Sequence, residues 1–113
     1  MRILHIISQA PDFTGSGKFI QQILFQSAKT GHDNFLVAGI QGNFTLPKNL
    51  IEESHCCFVR FDGKDLNFPI AGMSDVMPYE SRVFSQMGPQ DLAAYQQAFE
   101  TKIRQALDRF QPD

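Results

Sequence analysis

The chain has 113 residues, of which 42% are hydrophobic and 19% charged, and its formal net charge is −2. This composition excludes a disordered chain and suits one globular domain that buries roughly two thirds of its unfolded surface. The charges are scattered, with no run of Lys or Arg, so the sequence carries no electrostatic footprint for nucleic acid or an anionic membrane surface.

The opening Met1-Arg2-Ile3-Leu4-His5-Ile6-Ile7 is too short for a secretory signal and runs directly into Gln9 and Asp12. It reads instead as a strand, apolar on both faces, as expected where helices cover both sides of a parallel sheet. Ser8 to Gly17 follows as a loop of small residues. Phe19, Ile20, Ile23, Leu24 and Ala28 then recur at helical spacing up to Gly31, a residue suited to the left-handed position beyond a helix end. Asn34-Phe35-Leu36-Val37-Ala38 looks like a second buried strand, which makes the helix the crossover of a βαβ unit.

Ile40 to Ser54, with Gly42-Asn43, Pro47 and Asn49 to Glu53, suggests a turn and one short helical turn. Cys56-Cys57-Phe58-Val59-Arg60-Phe61 is the third strand candidate. The two cysteines are adjacent, so a bond between them would be badly strained, and two ligands are too few for a closed zinc site. A reduced, cytoplasmic protein with no structural metal is the expectation. From Asp62 to Pro89 the apolar residues follow no sustained period, and a connector of this length is usually functional or misread. The last element is clear: Pro89 opens a helix whose Leu92, Tyr95, Phe99, Ile103, Ala106, Leu107 and Phe110 form one stripe, closed by Pro112.

Gly15-Ser16-Gly17-Lys18 lies where a strand meets a helix, the arrangement that turns backbone amides and a positive dipole end toward an anion. It is not a P-loop, because Asp12 stands where a glycine is required and Phe19 where a hydroxyl is required. Nor is it a dinucleotide fingerprint, since Ile20 replaces the third small residue and Ala38-Gly39 end the second strand without an acid. The turn therefore serves either a phosphate contact or packing. His5, His32 and His55 have no metal-ligand spacing, His5 and His32 are expected to be structural, and Asp62, Asp65 and Asp75 are expected to be solvated loop acids. Phe68 to Tyr79 either shapes a substrate pocket or tucks over the sheet edge, and its Ser74, Asp75, Met77 and Tyr79 are the loop candidates for contacting an acceptor.

Taken together, Met1 to Gly17, the Gly31-His32-Asp33 ending of the first helix, Phe68 to Tyr79 and the closing Phe110-Gln111-Pro112-Asp113 resemble the N-terminal domain of family 4 glycosyltransferases. That resemblance implies an α/β, Rossmann-like three-layer sandwich with a parallel sheet, as an incomplete half of a GT-B fold. The single domain would span residues 1–113. In such enzymes two Rossmann-like domains face a cleft, the C-terminal one holding most of the nucleotide-sugar and the N-terminal one the acceptor.

Carried onto this chain, the resemblance implies transfer of a sugar, with retention, from a nucleoside diphosphate sugar to a carbohydrate or lipid-linked acceptor. No metal or other cofactor is required. Gly15, Ser16 and Gly17 would lie near the diphosphate; Lys18 departs from many relatives and would add a phosphate contact. The chain stops where the family continues into a fourth strand, so the expectation is a piece that is inactive without its C-terminal donor-binding domain. If the strand order is 3-2-1, the first strand would be an open apolar edge prone to self-association. A non-catalytic flavodoxin-like interaction module and half of a sugar-nucleotide epimerase are the alternatives.

Overall fold

The structure, a computed structural model, describes residues 1–73 and 76–113. Its main sheet has three parallel strands in the order β1-β2-β3: β1 is Arg2–Ile7, β2 Asp33–Ile40 and β3 Cys56–Arg60. Helix α1, Gly15–Lys29, links β1 to β2, and α2, Pro89–Phe110, closes the chain. The α/β class and the parallel sheet expected from the sequence are thus present. Register runs Arg2 to Asp33 through Ile7 to Ala38 between β1 and β2, and Leu36 to Cys56 through Ile40 to Arg60 between β2 and β3.

Alternation along the central strands sorts the core into two layers. Phe35, Val37, Cys57 and Val59 join one cluster with Phe99, Ala106 and Phe110 of α2. Their neighbours Leu36, Ala38, Ile40, Cys56 and Phe58 join the other with Leu24 of α1. Successive strand side chains point to opposite faces, so each helix covers one face. The adjacent cysteines consequently lie on opposite sides of the sheet, both buried and free.

β1 departs from the expectation that both its faces are covered. β2 is buried at every position after Asp33, whereas Ile6 of β1 is 52% exposed. The reason is topological: β1 has a strand on one side only, and α2 leans toward β3 and β2. The same asymmetry leaves Leu92 and Leu107 of the α2 stripe part-exposed, so the buried face of α2 is narrower than its apolar stripe.

The unassigned connector holds structure too short to show a period. β4, Ile70–Gly72, pairs in parallel with β5, Ser81–Val83, in a separate two-stranded sheet, and a single 3₁₀ turn, Phe84–Gln86, precedes α2. Leu66, Phe68, Ile70, Ala71 and Met87 sink into the α2-side core. The other short helical turn is Glu53–His55.

Capping follows local chemistry. Thr14 caps α1, its Oγ1 accepting from the Gly17 amide at 3.0 Å. Beyond the other end, Gly31 takes φ +87°, a conformation open to glycine at little cost. Asn34, buried in β2, accepts hydrogen bonds at Oδ1 from His5 Nε2 (2.9 Å) and Ser27 Oγ (2.7 Å), joining β1, α1 and β2. His32 Nδ1 accepts from the N-terminal ammonium at 2.9 Å, and His55 Nδ1 donates to the Asn34 carbonyl at 3.1 Å. All three histidines therefore serve the fold. The C-terminal end is tied to the start of β1: the Asp113 amide donates to the Arg2 carbonyl at 2.9 Å, and the Arg2 amide to Asp113 Oδ2 at 2.8 Å. Both termini thus sit at the end of the sheet away from the strands' carboxyl tips.

Candidate functional site

Ligands of open parallel sheets bind outside the carboxyl ends of the strands. Here that region is built by residues 8–14 after β1, residues 41–45 after β2, and Pro78-Tyr79 from the connector. The first of these loops is held firmly. Pro11 is fully buried, and Gln21 of α1 reaches back to donate from Nε2 to the carbonyls of Pro11 (2.9 Å) and Asp12 (3.2 Å).

Gly15 to Gly17 form the first turn of α1 rather than the end of the preceding loop, because Thr14 supplies the cap there. The turn is divided in its use. Gly17 is buried, its amide is taken by Thr14, and a Cβ at this position would lie 2.6 Å from the Asp12 nitrogen and 2.8 Å from the Ala10 oxygen. Only glycine lets the helix approach the loop so closely. Gly15, Ser16 and Lys18 are exposed, and Ser16 Oγ donates to Gln9 Oε1 at 2.8 Å. The first turn holds no acidic residue, so its own side chains leave the positive dipole end uncompensated. Gly17 thus answers to packing, while Gly15 and Ser16 form the solvent-facing part of the turn.

Beside this helix start opens a pocket of about 310 Å³ lined by Asp12, Phe13, Gln41, Asn43, Phe44, Thr45, Pro78 and Tyr79. Two of its lining residues carry buried polar atoms, Gln41 Oε1 and the Tyr79 hydroxyl, with no hydrogen-bond partner among the described residues. Burial pushes the Asp12 carboxyl above its ordinary range, partly offset by a hydrogen bond from the Phe13 amide. The Tyr79 hydroxyl is raised as well, by burial first and by the Asp12 charge second. Phe13, which lines this pocket, is 72% exposed.

Of the loop candidates, Tyr79 lines this pocket; Met77 is half-buried and not among its lining, and Ser74 and Asp75 lie outside the described residues. Asp62 and Asp65 are not free acids. Asp62 Oδ2 accepts from the Gly42 amide at 3.0 Å, and Asp65 Oδ2 from the Arg60 amide at 2.7 Å, so both shape turns. Sequence reasoning missed Asp12, Gln41, Asn43, Phe44 and Thr45 as pocket residues. Their signal was positional: each lies in the loop just beyond a parallel strand.

A larger groove, about 900 Å³, runs between the open edge of β1 and α2, lined by Ile6, Leu92, Phe99, Ile103 and Leu107 among others. Its Glu100 and Arg104 are paired to each other at 2.8 Å, leaving an apolar trough. Among the described residues no group of three His, Cys, Asp or Glu is placed to hold a metal ion, and no helix is long and apolar enough to cross a membrane. No protein-family model, curated protein or solved structure matches the chain.

Proposed function

We propose that this chain is the N-terminal, acceptor-side part of a retaining glycosyltransferase that moves a sugar from a nucleoside diphosphate sugar to an acceptor, and that it is inactive without a donor-binding domain. The observation that carries this reading is the adjacency of two unlike features on one loop. Asp12 and Phe13 line a polar and aromatic pocket, and two residues later the uncompensated start of α1 begins. A transferase needs this juxtaposition, with the departing diphosphate stabilised by oriented amides and the acceptor held next to it. Gly15 and Ser16 take the diphosphate role, Lys18 adds a cation beside them, and the pocket takes the acceptor.

The test is calorimetric titration of the protein with UDP and GDP, repeated on Ser16→Asp. An acid in the first turn favours the helix through its dipole, so this variant keeps or gains thermal stability. It loses about tenfold or more in nucleotide affinity, equivalent to about 1.4 kcal/mol. Absence of saturable heat with either nucleotide, or affinity unchanged by the substitution, overturns the diphosphate role.

A second reading is favoured by one observation, the open β1 edge with its apolar trough. A non-catalytic module would use that edge to pair with another chain. Such a module needs no nucleotide, so the same titration separates the two.

A further inference from the structure

We propose that two copies of this chain pair edge to edge through β1, antiparallel about a two-fold axis at His5, joining their three-stranded sheets into one. The inference does not rest on the transfer reading, because the open edge of β1 lies apart from the carboxyl ends of the strands.

Strand geometry sets the register. The Asp33 amide donates to the Met1 carbonyl on the β2 side. Backbone groups alternate between the two sides of a strand, so the N–H and C=O groups of Arg2, Leu4 and Ile6 point to the open edge. At Arg2 both are taken, the carbonyl by the Asp113 amide at 2.9 Å and the amide by Asp113 Oδ2 at 2.8 Å. Leu4 and Ile6 are left, and no strand pairs with them on that side among the described residues. An antiparallel copy that sets Leu4 opposite the partner's Ile6 uses both positions, each pair exchanging both of its hydrogen bonds. An axis at Leu4 would set Ile6 against the closed Arg2, and an axis at Ile6 would set Leu4 against Ser8, beyond the strand end.

Side chains agree with an axis at His5. Leu4 packs on the α2-side core, and the exposed Ile6 lines the trough beside α2. The pairing gives each Ile6 an apolar cross-strand neighbour, the partner's Leu4.

Charge complementarity selects a second copy as the occupant. α2 runs antiparallel to β1: Phe110 lies at Arg2, whose Nε donates to its carbonyl at 3.0 Å, and Tyr95 lines the trough with Ser8. Lys102 and Ile103, midway between Tyr95 and Phe110, are thus level with His5, midway between Arg2 and Ser8. A two-fold axis there reverses the partner's α2 and brings Glu100 of each copy level with Arg104 of the other. Within one copy these residues pair at 2.8 Å with both side chains more than half exposed. Exposed pairs of this kind are weak, so they exchange partners readily across the trough. The contact is the same patch on both copies and consumes both β1 edges, so it closes at the dimer.

The experiment is sedimentation velocity over a wide concentration range on the parent, Glu100→Arg, Arg104→Glu and the double variant, combined with disulfide trapping in β1. The parent should show monomer and dimer in concentration-dependent proportion and nothing larger. Each single reversal should weaken dimerisation by about tenfold, because it sets like charges face to face. The double variant exchanges the two charges and should recover the parent's affinity. His5 meets the partner's His5 as a non-hydrogen-bonded pair with Cα atoms about 4.5 Å apart, within disulfide reach. His5→Cys should therefore oxidise to a cross-linked dimer, whereas Ile3→Cys, which faces the partner's Ile7, should not. The parent, whose two cysteines are buried, gives the background.

A parent that stays monomeric at every concentration overturns the proposal, as does growth beyond the dimer. A double variant no better than the single reversals, or cross-linking by Ile3→Cys in place of His5→Cys, overturns it as well. His5 Nε2 also bonds Asn34 Oδ1, so the charge reversals, remote from that bond, decide the matter should His5→Cys fold poorly.

Discussion

Gly15 and Gly17 are two residues apart, yet substitution should separate them sharply. A Cβ at Gly17 meets backbone atoms that have nowhere to move, and Gly17→Ala should destabilise the protein by roughly 1–3 kcal/mol. At Gly15 an added Cβ would have no neighbouring atom within 4 Å, and Gly15→Ala should change stability by less than about 1 kcal/mol. Thermal denaturation of the two variants checks the pair, and equal losses would refute the packing role assigned to Gly17. Asp12 offers a test with a definite sign. Its folded pKa is raised above 3.8 by burial, so the native state binds more protons than the unfolded chain, and stability falls as pH rises from about 3.8 through the folded value. Asp12→Asn should therefore raise the melting temperature at neutral pH, with the gain vanishing in acid; a gain independent of pH would contradict it. Cys56, whose thiol is pushed up to about 12 chiefly by burial, should resist thiol reagents at mildly alkaline pH until the protein is unfolded. Rapid labelling of the native protein would show that β3 opens. At this scale the sequence was legible where a residue's role is local, as with Gly31. It offered Tyr79 only as one of four loop candidates and was silent on Gln41, because the two line one pocket only through the fold.

The elements show what periodicity can and cannot carry. β2 and α2 were readable because a long buried strand and a 22-residue amphipathic helix leave strong patterns. Pro89 at the start of α2, Asp91 in its first turn and Arg109 in its last agree with the stripe. Its centre is Phe99, buried in the core cluster and 4.8 Å from the Tyr95 ring. Phe99→Ala should cost roughly 3–5 kcal/mol, seen as a lower midpoint in urea with little change in slope. A loss under about 1 kcal/mol would mean that α2 is not the lid of that core. β1 misled for a physical reason: an apolar run looks the same in a central strand and in an edge strand, and only the sheet order distinguishes them. β4 and β5 were invisible because three-residue strands complete no repeat; β4 is marked only by its burial, and β5 is half-buried.

For the whole molecule, the distribution of covered and uncovered surface separates the chemistry from the assembly. The polar pocket and the start of α1 lie at the carboxyl ends of the strands, while the apolar trough follows the unpaired edge of β1. An exposed apolar edge strand is a template for pairing with another chain. Sedimentation should therefore show concentration-dependent association, and Ile6→Lys, which sets a charge in the trough, should abolish it; a monomer at high concentration would contradict the prediction. The parallel fold was legible from the alternation of strand and helix patterns, but the pocket was not. Its three contributors are far apart in the chain and converge only when β1 and β2 lie side by side. The proposed function divides the labour on one loop, assigning the amides at the start of α1 to a diphosphate and the neighbouring pocket to an acceptor. Amide chemical-shift mapping during a titration with UDP tests this most directly. Saturable shifts centred on Gly15 and Ser16, with Gly17 following its cap, are expected; a spectrum in which Gly15 and Ser16 stay still while other residues respond would contradict it.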